Sequence, residues 1–145
     1  MTPKISFNIE DDILMCFVTG ERTSDSVLDI WAELVNECHH HDINLVLVTM
    51  ALRGKYEPFK AIEIYQSVIE MLKHTHLAIA LVDLNHLSAP DSQVACNMGL
   101  GQGINTAYFA SQIDAKTWLV KQSASTSKAK MGIPKPPKPK FTNFA

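Results

Sequence analysis

Ile5, Phe7 and Ile9 alternate with polar residues, and after the acidic break Glu10–Asp12 the run Ile13–Val18 is apolar. A period of two, interrupted by a short polar break, predicts two strands joined by a tight turn. Gly20 ends the second strand. Thr23 or Ser24 is placed to cap a helix with Asp25 in its first turn, and Val27, Trp31, Leu34, Val35 and Cys38 recur at helical spacing until a stop near His41. Ile43–Met50 and Leu77–Val82 are continuously apolar, as expected of strands covered on both faces in a largely parallel sheet. Between them a second helix is predicted to start near Glu57–Pro58, since proline suits a first turn. Its buried stripe is Ala61, Ile62, Tyr65, Val68, Ile69 and Leu72. Strand, helix and strand in this order cross over right-handedly.

Pro90–Met98 is read as a third helix with Ser88 or Asp91 near its start and Gly99, Gly101 and Gly103 as its stop. Thr106–Phe109 is a short last strand. Ser111 and Asp114 have capping-box spacing before a final helix that holds Ala115, Trp118, Leu119 and Val120. The expected fold class is therefore α/β, with a mixed, mostly parallel sheet in the order β-β-α-β-α-β-α-β-α.

Composition narrows the classes. With 145 residues, 46% apolar and 19% charged, the chain suits one core-forming domain and is short for two. No apolar run approaches the roughly 18 residues of a membrane-spanning helix, so no integral membrane segment is expected. Met1–Lys4 carries no secretory pattern, and the expected location is cytoplasmic. Cys16, Cys38 and Cys96 are odd in number and widely spaced, which points to reduced structural thiols.

The net charge of −2 hides two unlike segments: residues 1–122 hold 8 Lys/Arg against 15 Asp/Glu, and residues 123–145 hold 5 Lys and no acid. The domain is accordingly placed at 1–122. The remainder, 123–145, reads as a disordered Lys/Pro-rich tail, because its prolines deny a helix its backbone donors. An acidic body opposes phosphate, so nucleic acid is not an expected partner.

The opening strand pair, the segment Gly20–Asp25 (GERTSD) leading into the first helix, and the closing Asp114–Leu119 (DAKTWL) resemble SpoIIAA-like proteins, which share the STAS fold and are grouped with CRAL-TRIO lipid-carrier domains. The resemblance spans about residues 5–120. It implies a non-enzymatic module without a cofactor, used for protein regulation or for holding an apolar ligand. Anti-anti-sigma relatives carry a phosphorylatable serine between the third strand and the second helix. Here that stretch reads Met50–Tyr56 (MALRGKY) and has no serine, so the phosphoserine switch is not carried over.

Two constellations bear chemistry. Arg53, Lys55 and Tyr56 leave the third strand, while Asp83, Asn85, His86 and Ser88 leave the fourth. Both loops belong at the carboxyl edge of the sheet, where α/β folds place ligands and helix N-termini attract anions. Arg53, Lys55, Tyr56, Asp83, Asn85 and His86 are thus the expected ligand- or partner-binding residues, and solvated loop residues are the alternative. The second constellation is His39–His41 with His74 and His76 at the amino edge. Its spacing matches no metal motif, and histidines at helix C-termini also suit the dipole. Gly99, Gly101 and Gly103 lack the spacing of a phosphate loop; Trp31 and Trp118 read as core anchors and Cys96 as a buried hydrophobe. No nucleophile–base set marks an enzyme. The expected partner is either a protein, a second copy in a homodimer included, or a small ligand, anionic or else a lipid or other apolar molecule. The latter requires a cavity of about 300 Å³ or more.

Overall fold

A computed structural model describes residues 3–130 of the chain. Its elements are β1 (Lys4–Glu10), β2 (Ile13–Glu21), α1 (Ser24–His41), β3 (Leu45–Arg53), α2 (Pro58–Leu72), β4 (Ala78–Asp83), α3 (Ala89–Gly101), β5 (Asn105–Phe109) and α4 (Gln112–Lys130). This is the expected element order. The five strands lie side by side in chain order; β1 pairs antiparallel with β2, and every later pair is parallel.

The turn between β1 and β2 is two aspartates, Asp11 (φ 52°) and Asp12 (φ 64°). Two left-handed residues give the turn a twist that matches paired strands, and aspartate tolerates that conformation better than most residues. Lys116 of α4 lies 3.1 Å from Asp11 and 3.4 Å from Glu10, which ties this corner to the last helix. At the far end of α1, Asp42 (φ 54°) takes the left-handed cap, and the backbone N–H of Ile43 returns to the Cys38 carbonyl at 2.9 Å. That return bond closes the helix and turns the chain into β3.

Strand parity divides the core in two. Leu14, Cys16 and Val18, Val46, Val48 and Met50, and Ile79 and Leu81 face α1, α2 and α3. Their alternates Ile13, Leu45, Leu47, Ala78, Ala80 and Val82 face α4, which covers them with Ala115 and Leu119. Both β3 and β4 therefore need apolar residues at every position, which is why the sequence shows runs instead of alternation. Thr49 breaks the β3 run on the α4 side, and its hydroxyl accepts a hydrogen bond from Gln112 Nε2 at 2.8 Å. Trp118 is half-buried against Phe109, with ring centres 5.7 Å apart.

Several local expectations change. Ile62 is 50% exposed, and Ile64 takes its place in the core. Ile62 projects about 100° around the helix from Ala61, at the margin of the stripe. Val120 is likewise exposed. β3 extends through Arg53, so the connection to α2 is reduced to Gly54–Glu57, with Gly54 at φ 85°. Glu57 caps α2, its carboxylate accepting from the Phe59 N–H at 3.0 Å. Gly99 does not stop α3. It is buried within the helix, where an added Cβ would stand 3.1 Å from Thr106 Cγ2 and 3.5 Å from Ile104 Cβ. The left-handed stop is Gly103, at φ 91°. The last helix continues past the expected domain boundary at residue 122 to Lys130, and the rest of the expected tail lies outside the described residues. Among the described residues no helix is long and apolar enough to cross a membrane.

The two helical glycines of α3 separate packing from propensity. Gly99→Val should lower stability by about 1–3 kcal/mol through overpacking against β5. Gly101→Ala, with nothing within 4 Å of its new methyl, should leave stability unchanged or raise it by up to about 1 kcal/mol. Urea unfolding of the two variants checks the contrast.

Candidate functional site

Parallel strands bring the chain segments that follow β2, β3, β4 and β5 to one edge of the sheet. Asp83, the last residue of β4, shares parity with Ile79 and Leu81, so its carboxylate turns into the layer of α1, α2 and α3. Its side chain is 0% exposed. A buried carboxylate is tolerable only when its oxygens are saturated. Here Oδ2 accepts from Ser92 Oγ at 2.6 Å, from Ser88 Oγ at 2.8 Å and from Arg22 Nη2 at 3.4 Å, and Oδ1 accepts the Asn85 N–H at 3.0 Å.

Arg22, just beyond β2 and with a side chain 6% exposed, provides the opposite charge. Its Nη2 also donates to Ser88 Oγ at 2.9 Å and its Nε to the Gly54 carbonyl at 3.2 Å. The guanidinium lies 5.5 Å from the centre of the Tyr56 ring, within cation–π range. Asn85 completes the brace: Nδ2 donates to the carbonyls of Leu52 (3.0 Å) and Gly54 (3.3 Å), while Oδ1 accepts from the Leu87 N–H at 2.9 Å. The connections after β2, β3 and β4 are thereby bonded into one polar unit.

Of the residues expected from sequence, the structure gathers Tyr56, Asp83 and Asn85 into this unit and leaves Arg53, Lys55 and His86 exposed on its rim. Arg53 sits 3.9 Å from Glu21 and Lys55 3.5 Å from Asp91, both solvated pairs of small energetic weight. Arg22 and Ser92 were not expected, and Ser88 was expected at this edge and as a helix start but not among the binding residues. The available signal was the aspartate closing the apolar run AIALVD, since a charge placed there requires a buried cation, and the chain has only two arginines. His39, His40, His41, His74 and His76 are exposed at the amino edge, with His41 3.4 Å from Glu37. Among the described residues no three His, Cys, Asp or Glu side chains assemble a metal site.

Beneath the brace lies a cavity of about 80 Å³ between the sheet and the three helices. Its walls are apolar, from residues such as Trp31, Ile64, Val68, Ile79 and Cys96, and its polar groups come from Arg22, Tyr56, Tyr65, Ser92 and Thr106. Burial pushes both phenols up to about 12, with Arg22 partly offsetting this at Tyr56 and Asp91 reinforcing it at Tyr65. They are neutral hydroxyl groups near pH 7. Burial also pushes the Cys96 thiol up to about 11 and the Cys38 thiol up to about 12, and it raises Cys16 further.

Breaking the buried pair from one side strands a charge. Arg22→Met should therefore cost about 3–5 kcal/mol. Asp83→Asn added to it should cost less than the two single changes summed, as a double-mutant cycle in urea would register. The thiols give a second test. Because a raised thiol pKa withholds the reactive thiolate, native protein at pH 8 should resist iodoacetamide, whereas the unfolded chain gains three carbamidomethyl groups by intact mass.

No family model matches the chain, and no curated protein matches it. Among solved structures, the chain is similar to an uncharacterized protein of the DUF3478 family with a SpoIIAA-like fold from Shewanella loihica PV-4. The TM-score is 0.51 at 16% identity, over 81% of this chain and 93% of that one. The likeness is one of fold, and the strand order and helix placement described above agree with it: the domain has the SpoIIAA-like, mixed α/β fold.

Proposed function

We propose that this domain is a non-enzymatic protein-interaction module that meets its partner through the carboxyl edge of its sheet. The observation that carries the reading is the apolar rim around the polar brace. Phe59 at the start of α2 (84% exposed), Leu84 and Leu87 between β4 and α3 (52% and 70%) and Ile113 at the start of α4 (79%) all belong to this one edge. Single exposed apolar side chains are ordinary, but several on the connections of one edge mark a contact surface. The brace beneath them holds the connections in place, so less ordering entropy opposes binding. Arg53, Lys55 and His86 add polar groups to the same rim.

Two further features favour an interaction module over the other classes. The cavity beneath the brace holds about 80 Å³, and a second space at the amino edge, beside His76, Gly103 and Asn105, holds about 240 Å³; both fall below the roughly 300 Å³ of ordinary small-molecule pockets. The carboxylate of Asp83 is saturated by four donors, and the buried thiols are held protonated, so neither is poised as a base or nucleophile. The connection Gly54–Glu57 has no serine or threonine, so control of binding by phosphate at that turn is not part of the proposal.

The test compares the full chain with a Phe59→Ser, Leu87→Ser, Ile113→Ser variant, which leaves the buried core intact. Light scattering and cross-linked affinity capture from the source cell should show a dimer, or a discrete retained protein, that the variant loses at unchanged Tm. A monomer that retains nothing, or equal retention by both proteins, would overturn the reading.

A further inference from the structure

β1 and β5 are the two ends of the strand order, and each has one side unpaired among the described residues. We infer that the open side of β1 pairs with β1 of a second copy, antiparallel and centred on Phe7, so that two sheets join into one about a two-fold axis. This goes beyond the interaction reading and concerns a different surface, since Phe59, Leu87 and Ile113 stand on the carboxyl edge.

Edge strands invite pairing unless they are blunted by proline, a bulge, a charge within the strand or great shortness. β1 carries none of these devices. It runs for 7 residues, KISFNIE, its register with β2 is one for one from Lys4↔Thr19 to Glu10↔Ile13, and its charges stand only at its two ends. β5, at the opposite edge, has 5 residues, and pairing antiparallel with itself would set Asn105 against Phe109.

The first turn fixes which backbone groups of β1 face outward. Two left-handed residues, Asp11 and Asp12, join Glu10 to Ile13, and a two-residue hairpin turn of this kind closes on a hydrogen-bonded pair. Bonded pairs alternate along antiparallel strands, so Asn8–Met15, Ser6–Phe17 and Lys4–Thr19 are bonded as well. The N–H and C=O groups of Ile5, Phe7 and Ile9 therefore point away from β2 into the open edge. Two copies of β1 centred on Phe7 set Ile5 against Ile9, Phe7 against Phe7 and Ile9 against Ile5. Those are the residues whose backbone groups remain to be paired.

The side chains select the same register. It brings position 4 of each copy opposite position 10 of the other, and these positions carry Lys4 and Glu10. Lys4 is exposed and makes no ion pair among the described residues. Glu10 accepts from Asn8 Nδ2 at 3.0 Å and lies 3.4 Å from Lys116, which leaves carboxylate lone pairs for a further cation. Ser6 meets Asn8, polar against polar. On the other face Ile5 and Phe7 pack on the three-helix core while Ile9 is 45% exposed, and pairing sets Ile9 beside Ile5 of the second copy. Sliding one copy by two residues in either direction separates Lys4 from Glu10 and shortens the ladder.

Sedimentation velocity of the full chain, from micromolar to submillimolar concentration, should show a reversible dimer. Lys4→Glu and Glu10→Lys each place like charges opposite one another at both ends of the strand pair and should weaken the dimer several-fold. An equimolar mixture of the two variants, one of them labelled with ¹⁵N, restores opposite charges and should give a dimer of one chain of each by native mass. Register is read with cysteines at exposed positions, the native thiols being buried. Ser6→Cys mixed with Asn8→Cys should form a disulfide-linked dimer on mild oxidation faster than either variant alone. The Phe59→Ser, Leu87→Ser, Ile113→Ser variant should remain dimeric through β1 even where it loses a protein bound at the carboxyl edge, so the two readings fail separately. A monomer throughout, a dimer indifferent to both charge variants, a mixture as weak as its components, cross-linking no faster in the cysteine mixture, or a dimer lost by the triple variant would each overturn the inference.

Discussion

A carboxylate fully withdrawn from water at the end of an apolar strand is the constraint around which the carboxyl edge is arranged. Asp83 cannot be left unpaired at that depth, because the desolvation of an isolated charge exceeds what a small domain can tolerate. One partner is distant in sequence, Arg22 after β2, while Ser88 and Ser92 follow Asp83 closely at the start of α3. Arg22 in turn holds the Gly54 carbonyl, and Asn85 holds the carbonyls of Leu52 and Gly54. One charge therefore sets the relative position of three connections. By itself the ion pair adds little net stability; its effect is to make alternative arrangements of these loops costly.

The sheet carries the rest of the order. Because β3 and β4 are central and parallel, each residue on them faces either the three-helix layer or α4, and parity alone allocates it. The three-helix side includes the long side chains of α1 and α2 and encloses the cavity. On the other side a single helix meets the sheet through Ala115 and Leu119, and small residues such as Ala78 and Ala80 admit its close approach. Gly99 plays a comparable part on the three-helix side, where a missing side chain lets α3 settle on Thr106 and Ile104. Polar residues in these layers are matched individually, as Thr49 is by Gln112.

The edge consequently combines rigidity below with exposure above. The loops that present Leu84, Leu87 and Phe59 are anchored by Asn85, Asp83 and the Glu57 cap, so the apolar side chains stand on fixed backbone. Loops held in this way can offer a contact surface without first being ordered. The same brace roofs the cavity, and its cation faces both: Arg22 is in the network and in the cavity wall at once.

Element type and order were legible in the sequence because hydrophobic period and turn chemistry are local. The runs around Val46 and Ala80, the stripe through Leu34 and the aspartates at the first turn each reported their own structure, and the order of elements sufficed for the resemblance to SpoIIAA-like proteins. Tyr56, Asp83 and Asn85 were legible as residues of the carboxyl edge for the same reason. Local pattern did not distinguish the buried Ile64 from the exposed Ile62, nor a glycine that packs from one that stops a helix, since both depend on what lies opposite. The pairing of Arg22 with Asp83 was equally out of reach: 61 positions separate them, and only the parallel alignment of β2, β3 and β4 brings their ends together. The sequence by itself determined which segments fold and which edge collects the loops; tertiary structure alone decided which of the loop charges is buried, because burial is a property of neighbours and not of the chain.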